Sequence, residues 1–212
     1  MGRRVDVTRK ISSDRVGIKR NQKNKIIMAV EGANKTEKIY FNNYRTGKEN
    51  YTITFANGND TDPIRLVKRL AKQIKRMGLD LENGDKAYCI FDVDIDPNKD
   101  IAINEAKEIA KNEGIEIITS SPCIELWFLL HYEYTTGYMT NDNVIRRLKN
   151  HYEKYEKTSN IFAQINDKVK TAIKYAKKLE KYNIDNNKII GSVEANPNTE
   201  IYKIIEYLLK NK

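Results

Sequence analysis

The chain has 212 residues, of which 40% are hydrophobic and 32% are charged, and its net charge is +9. This length leaves room for one substantial domain with a real hydrophobic core. No apolar run approaches the roughly 20 residues that a membrane-spanning helix needs, and the basic N-terminus lacks the apolar segment of a secretory signal. We therefore expect a folded cytoplasmic protein without a membrane partner.

The positive charge is concentrated at the N-terminus. Residues 1–25 hold nine Lys or Arg and two Asp, a net charge of +7, which leaves only +2 for the rest of the chain. A basic arm suits the phosphate backbone of nucleic acids, because neutralising that backbone releases counterions. We predict a flexible basic arm over residues 1–24, with a merely solubilising tail as the alternative.

Cysteine and histidine are too scarce to build a metal site. Cys89 and Cys123 both lie in apolar surroundings without a metal-finger spacing, which predicts reduced core residues. The two histidines, His131 and His151, do not suffice for a histidine-based site. Acidic residues must therefore carry any metal chemistry.

Short apolar strands alternate with amphipathic helices from residue 25 to residue 135. Compact apolar or β-branched runs predict strands, and apolar residues at three- and four-residue spacing predict helices. The predicted strands are 25–30, 51–56, 86–91 and 115–119, and the predicted helices are 36–44, 62–77, 100–112 and 123–131. This alternation is typical of an α/β core with a mostly parallel four-stranded sheet and helices on both faces.

The C-terminal part of the chain has a different pattern. From Met139 onward the apolar spacing predicts helices only, at 140–150, 162–182 and 198–210. We expect residues 136–212 to form a helical extension that packs on the core.

Carboxylates follow two of the predicted strands. Glu31 ends the first strand, and Asp92 and Asp94 end the third. The carboxyl ends of parallel strands share one edge of the sheet, and a flavodoxin-type order places strands one and three side by side there. Asp92 and Asp94 are two residues apart, so their side chains point the same way at a strand end. The three carboxylates are expected to converge.

Converging carboxylates need a compensating cation, and oxygen ligands suit Mg²⁺ or Mn²⁺. Such an ion could stabilise charge in phosphoryl transfer or activate a water. Glu31 would then be a further ligand or a general acid/base. Ordinary caps of loops and helices are the structural alternative, and Asp96 fits a turn before Pro97 equally well.

Other charged positions have two interpretations each. Glu125 lies in an apolar helix that begins after the fourth strand, and it is either an additional site acid or a structural partner at the helix start. Lys35 opens the first helix and is a candidate phosphate contact. The lysine-rich face of the helix over 162–182 is either a solvated surface or a track for nucleic acid.

Four motifs in order resemble those of the RloB-like family, across about residues 25–210. They are VEGANKTEKIYF (30–41), FDVD (91–94), SPCIELWFLLHY (121–132) and NPNTEIY (196–202). Members of this family are often encoded near bacterial restriction and phage-defence genes. Their core resembles the Toprim fold, which carries a glutamate after strand one and a DxD pair after strand three.

The resemblance implies roles for the same acidic residues. Glu31 matches the Toprim glutamate, and Asp92 and Asp94 match its aspartate pair. Asp96 fits the spacing of a third acidic residue, although Pro97 stands where a glycine is common. The family pattern also repeats Glu125.

The resemblance implies a Mg²⁺- or Mn²⁺-dependent nuclease that acts on DNA or RNA, tRNA included, in anti-phage defence and abortive infection. The alternative is a non-catalytic nucleic-acid-binding or sensor subunit that works with a partner ATPase. A phosphatase of the haloacid-dehalogenase type is disfavoured, because those enzymes carry their DxD motif on the first strand. The sequence leaves DNA versus RNA open, and also the oligomeric state, with a homo-oligomer among the alternatives.

Overall fold

A computed structural model of the chain describes residues 23–32, 35–93 and 97–212. The first half contains β1 (Asn24–Val30), α1 (Lys35–Asn42), β2 (Tyr51–Phe55), α2 (Pro63–Met77), β3 (Lys86–Asp92), α3 (Pro97–Asn112), β4 (Glu116–Ser121) and α4 (Glu125–Leu129). The second half contains α5 (Asn141–His151), α6 (Phe162–Ile165), α7 (Val169–Asp185), β5 (Asn198–Thr199) and α8 (Ile201–Lys210).

The described strands form one sheet in the order β2-β1-β3-β4-β5. The first four strands are parallel, which confirms the mixed α/β fold and the predicted adjacency of strands one and three. The predicted count of four strands is wrong, because β5 adds an antiparallel fifth strand beside β4.

The fifth strand was not visible as a pattern, because it has only two residues and both are polar. Long-range contacts hold it in place. Ser120 Oγ lies 2.7 Å from Thr199 Oγ1, and the buried Glu200 accepts hydrogen bonds from the backbone N–H (3.1 Å) and hydroxyl (2.7 Å) of Thr119. The expectation that only helices follow Met139 is therefore wrong at residues 198–199.

Side chains of the central strands alternate between two hydrophobic clusters, as the pleat of a strand requires. In β1, Ile26, Met28 and Val30 join the larger cluster, which also contains buried residues of α4, α7 and α8. Ile27 and Ala29 join the smaller cluster, which is built with α2 and α3. The sheet is therefore covered on both faces.

The long helix predicted over 162–182 is interrupted. A 3₁₀ turn at Asn166–Lys168 separates α6 from α7. Asn166 and Asp167 weaken the helix there, because their short polar side chains compete with the helical backbone for hydrogen bonds.

Two further predictions concern the N-terminal arm and membrane-spanning helices. The predicted arm over 1–24 lies outside the described residues up to residue 22. Within the described part of the chain, no helix combines the length and apolar character that crossing a bilayer would require.

Candidate functional site

Glu31 directly follows β1, Asp92 is the last residue of β3, and these two strands are adjacent and parallel. Val30 at the end of β1 lies opposite Ile90 of β3, so Glu31 and Asp92 lie at the same edge of the sheet. Both side chains are half-buried. The sheet thus brings together two of the three carboxylates that the sequence hypothesis assigned to a metal.

Asp92 also has a structural contact. Its Oδ1 accepts a 3.0 Å hydrogen bond from the backbone N–H of Ile124, the residue that precedes α4. This bond ties the start of α4 to the carboxyl end of β3, so that α4 begins at the edge where Glu31 and Asp92 lie.

Three of the predicted site positions cannot be placed as side chains. Asp94 and Asp96 lie outside the described residues, and Lys35 is described only as the first residue of α1. Their roles remain predictions from the sequence.

Glu37 is a site residue that the sequence analysis did not select. It lies in the first turn of α1, it is only 2% exposed, and its Oε2 has no hydrogen-bond partner among the described residues. Burial, together with the negative charges of Glu125 and Glu31, raises the pKa of Glu37 to about 7, against a backbone hydrogen bond and the charge of Lys157, which lower it. An acidic residue in a first helical turn is common, so no sequence pattern indicates that this one is buried.

Glu125 is the first residue of α4 and is 1% exposed. The hydroxyl of Tyr155 donates a 3.0 Å hydrogen bond to its Oε1. The partner that a buried carboxylate requires is therefore a tyrosine from the segment after α5.

Electrostatic interactions join these carboxylates into one acidic cluster, which we define as Glu31, Glu37, Asp92 and Glu125. Glu37 interacts with Glu31 and Glu125. Asp92 and Glu125 both act on Cys123: burial raises the pKa of its thiol, and the charges of Glu125 and Asp92 raise it further. The cluster therefore extends from the sheet edge into the core.

The oxygen donors of the cluster have the chemistry that Mg²⁺ and Mn²⁺ prefer, and the Oε2 of Glu37, which has no hydrogen-bond partner among the described residues, is one such oxygen. Among the residues that the structure describes, no group of three or more His, Cys, Asp or Glu side chains is arranged as a complete metal site. The predicted ligand Asp94 stands outside that set. Glu31 and Asp92 are the described residues that would hold a metal at this edge.

The loop that follows β2 closes one side of the site. The backbone N–H of Gly32 donates a 2.7 Å hydrogen bond to the carbonyl oxygen of Asp60. Asp62 then caps α2, accepting a 2.7 Å hydrogen bond from the N–H of Arg65. The start of α2 is thus joined, through this loop, to the turn that carries Glu31.

Comparison with known proteins identifies the family. A family model described as RloB-like protein matches residues 26–208, which is nearly the whole chain. No curated protein and no solved structure matches the chain significantly. The matched range contains the carboxyl ends of β1 and β3 and the acidic cluster between them, and its extent shows that the chain belongs to the RloB-like protein family.

Proposed function

We propose that this protein is a metal-dependent nuclease that hydrolyses phosphodiester bonds of DNA or RNA. The observation that carries the proposal is the position of Glu31 and Asp92 at the carboxyl ends of two adjacent parallel strands, at the edge where such sheets bind ligands. The Toprim-like character of the core, a role in anti-phage defence and tRNA as a substrate belong to the same proposal through the family resemblance.

The residues of the acidic cluster have different parts in the proposed chemistry. Glu31 and Asp92 would hold Mg²⁺ or Mn²⁺ together with Asp94, and the ion would supply charge stabilisation at the phosphate and an activated water. Asp92 also fixes the start of α4 through Ile124. Glu37 and Glu125 are buried behind the edge, and a cation bound there would favour the ionised form of Glu37.

The test is cleavage by the purified full-length chain. Plasmid, tRNA and oligonucleotides are incubated with Mg²⁺, Mn²⁺ or EDTA. We expect cleavage only with metal, and a loss of about 10²-fold or more in Glu31→Ala and Asp92→Asn. Asp92→Asn is preferred to alanine, because the amide oxygen can still accept the hydrogen bond of Ile124.

Glu116→Ala is the matched control. Glu116 begins β4 at the opposite edge of the sheet, where it is exposed and pairs with Lys86 at 2.9 Å. It should cleave like the parent. Full activity in both site variants, or no metal-dependent cleavage of any nucleic acid, would refute the proposal in favour of a binding or sensor subunit that depends on a partner ATPase.

A further inference from the structure

Helix α2 carries positive charges along its length and no negative charge of its own. Its 15 residues include six basic and no acidic side chains, namely Arg65, Lys68, Arg69, Lys72, Lys75 and Arg76. Like charges three and four residues apart destabilise a helix, and Arg65 in the first turn also opposes the helix dipole. An anion bound along the helix would relieve both effects.

Four of these residues lie along one side of α2, and we call them the basic stripe: Arg65, Arg69, Lys72 and Arg76. Their spacings of four, three and four residues keep them within one face of a helix. Arg65, Lys72 and Arg76 are exposed and make no ion pair with a described residue. Lys75 differs, because it faces the end of α3 and pairs with Glu113 at 2.9 Å.

A cavity of about 380 Å³ separates the basic stripe from the loop after β2. It is lined by Asn57, Gly58, Arg69, Lys72, Gln73 and Arg76. The nearly buried Gln73 fixes its wall, since its amide accepts from the N–H of Asn57 (3.2 Å) and donates to the carbonyl of Asn57 (3.1 Å). These hydrogen bonds hold the loop against α2, so the cavity keeps its shape, and its lining is cationic.

Arg69 is the one member of the stripe that is fixed. Its Nη2 lies 2.6 Å from Asp60, whose carbonyl oxygen accepts the hydrogen bond of Gly32 beside Glu31. Gly58 permits this position, because a Cβ there would lie 1.2 Å from Nη1 of Arg69. The stripe and the acidic cluster are thus connected through one loop.

The lysines of α7 and of the 3₁₀ turn before it are a less favourable surface. Lys168 and Lys178 lie over the rings of Tyr132 and Tyr134, at 4.3 Å from each centroid. Lys177 pairs with Glu206 at 2.6 Å and Lys181 with Asp185 at 3.1 Å. Most of this face is already engaged within the protein, whereas the exposed cations of the stripe are not.

We propose that the basic stripe of α2 and its cavity bind the phosphate backbone of a nucleic acid that extends to the edge carrying Glu31 and Asp92. The stripe is about 16 Å long at 1.5 Å per residue, so it spans several phosphates of one strand. A flanking cationic surface is needed because the acidic cluster repels a polyanion. The inference rests on the proposed function for the identity of its ligand.

Binding is measured apart from cleavage. Full-length Glu31→Ala protein in EDTA is titrated onto a labelled single strand of about 20 nucleotides by fluorescence anisotropy, at salt concentrations from about 50 to 300 mM. The double variant Lys72→Ala/Arg76→Ala is made in this background. Two lost phosphate contacts should reduce the slope of log K against log salt by about 1.4 and weaken binding about 25-fold at 0.1 M salt.

Two control variants isolate the position and the charge. Lys170→Ala/Lys174→Ala removes the same charge from exposed positions of α7 and should bind like the parent. Lys72→Arg/Arg76→Lys keeps the charge on α2 and should keep the slope. Circular dichroism confirms that each variant is folded.

An unchanged slope and affinity in the α2 double variant, or a larger loss in the α7 variant, would overturn the inference. Polyglutamate is titrated in the same way as a second polyanion. If the α2 double variant loses polyglutamate binding but keeps oligonucleotide binding, the inference is also overturned, because the surface would then suit an acidic protein. If cleavage depends on Glu31 but the salt slope is unchanged in the α2 double variant, only the role of the basic stripe is refuted. If the α2 double variant has the reduced salt slope but the protein cleaves no nucleic acid, only the proposed nuclease activity is refuted.

Discussion

The hydroxyl of Tyr155 donates a hydrogen bond to Oε1 of Glu125 in the interior of the protein, at 3.0 Å. Both residues are almost fully buried, and they join the segment after α5 to the first residue of α4. A buried carboxylate without a donor is costly, so this contact stabilises the acidic cluster at its inner end.

Removing the donor should destabilise the fold. Tyr155→Phe should lower the free energy of unfolding in urea by about 1–3 kcal/mol, because the carboxylate of Glu125 loses a buried hydrogen bond. In Glu125→Gln the hydroxyl of Tyr155 keeps an acceptor, so the loss should be smaller. The double variant should lose less than the sum of the two single losses, and strictly additive losses would contradict the contact.

Glu37 should make stability fall as the pH rises. Its pKa of about 7 lies above the usual 4.5, so between pH 4.5 and pH 7 the folded state holds a proton that the unfolded state has released. Glu37→Gln removes this titration. The difference in unfolding free energy between the variant and the parent should therefore rise by on the order of 1–3 kcal/mol in favour of the variant as the pH goes from 4.5 to 8, in urea unfolding with EDTA present. A pH-independent difference would contradict the assignment.

His131 should act in the opposite direction. It is 2% exposed, its Nδ1 lies 2.9 Å from the carbonyl oxygen of Trp127, and burial lowers its pKa from 6.5 to about 4, against the hydrogen bonds that favour the charged ring. The unfolded state therefore binds a proton first as the pH falls.

The stability supplied by neutral His131 is complete above pH 6.5 and is lost as the pH falls to about 4. The expected loss is on the order of 2–3 kcal/mol. His131→Phe keeps an aromatic ring beside Trp127 and should remove this part of the acid sensitivity, as followed by chemical unfolding at a series of pH values. An acid slope equal to that of the parent would count against a buried neutral histidine.

Two glycine substitutions separate backbone strain from a steric clash. Gly58 and Gly47 both have positive φ, at 113° and 84°, but only Gly58 has Arg69 where a Cβ would stand. Gly47 has no atom within 4 Å of that position. Gly58→Ala should therefore destabilise more than Gly47→Ala, by about 1 kcal/mol, because Arg69 must leave Asp60. Thermal unfolding of the two variants measures the difference, and equal losses would argue against the fixed position of Arg69.

The elements that apolar patterning specifies could be predicted from the sequence. The buried runs of β1 and β3 and the alternation of strands with helices predicted a parallel sheet, and the adjacency of these strands followed from its topology. The positions of Glu31 and Asp92 could be predicted for the same reason, because parallel strands end at a common edge.

Features that depend on contacts between distant parts of the chain became visible only in the folded structure. β5 exists because Thr119 and Ser120 bind Glu200 and Thr199, about 80 positions later, and two polar residues carry no pattern of their own. Glu37 became part of the acidic cluster because packing buries it near Glu125, which is far away in the sequence. Periodicity reports the local backbone and the buried face, whereas burial of a single carboxylate is set by the segments that pack over it.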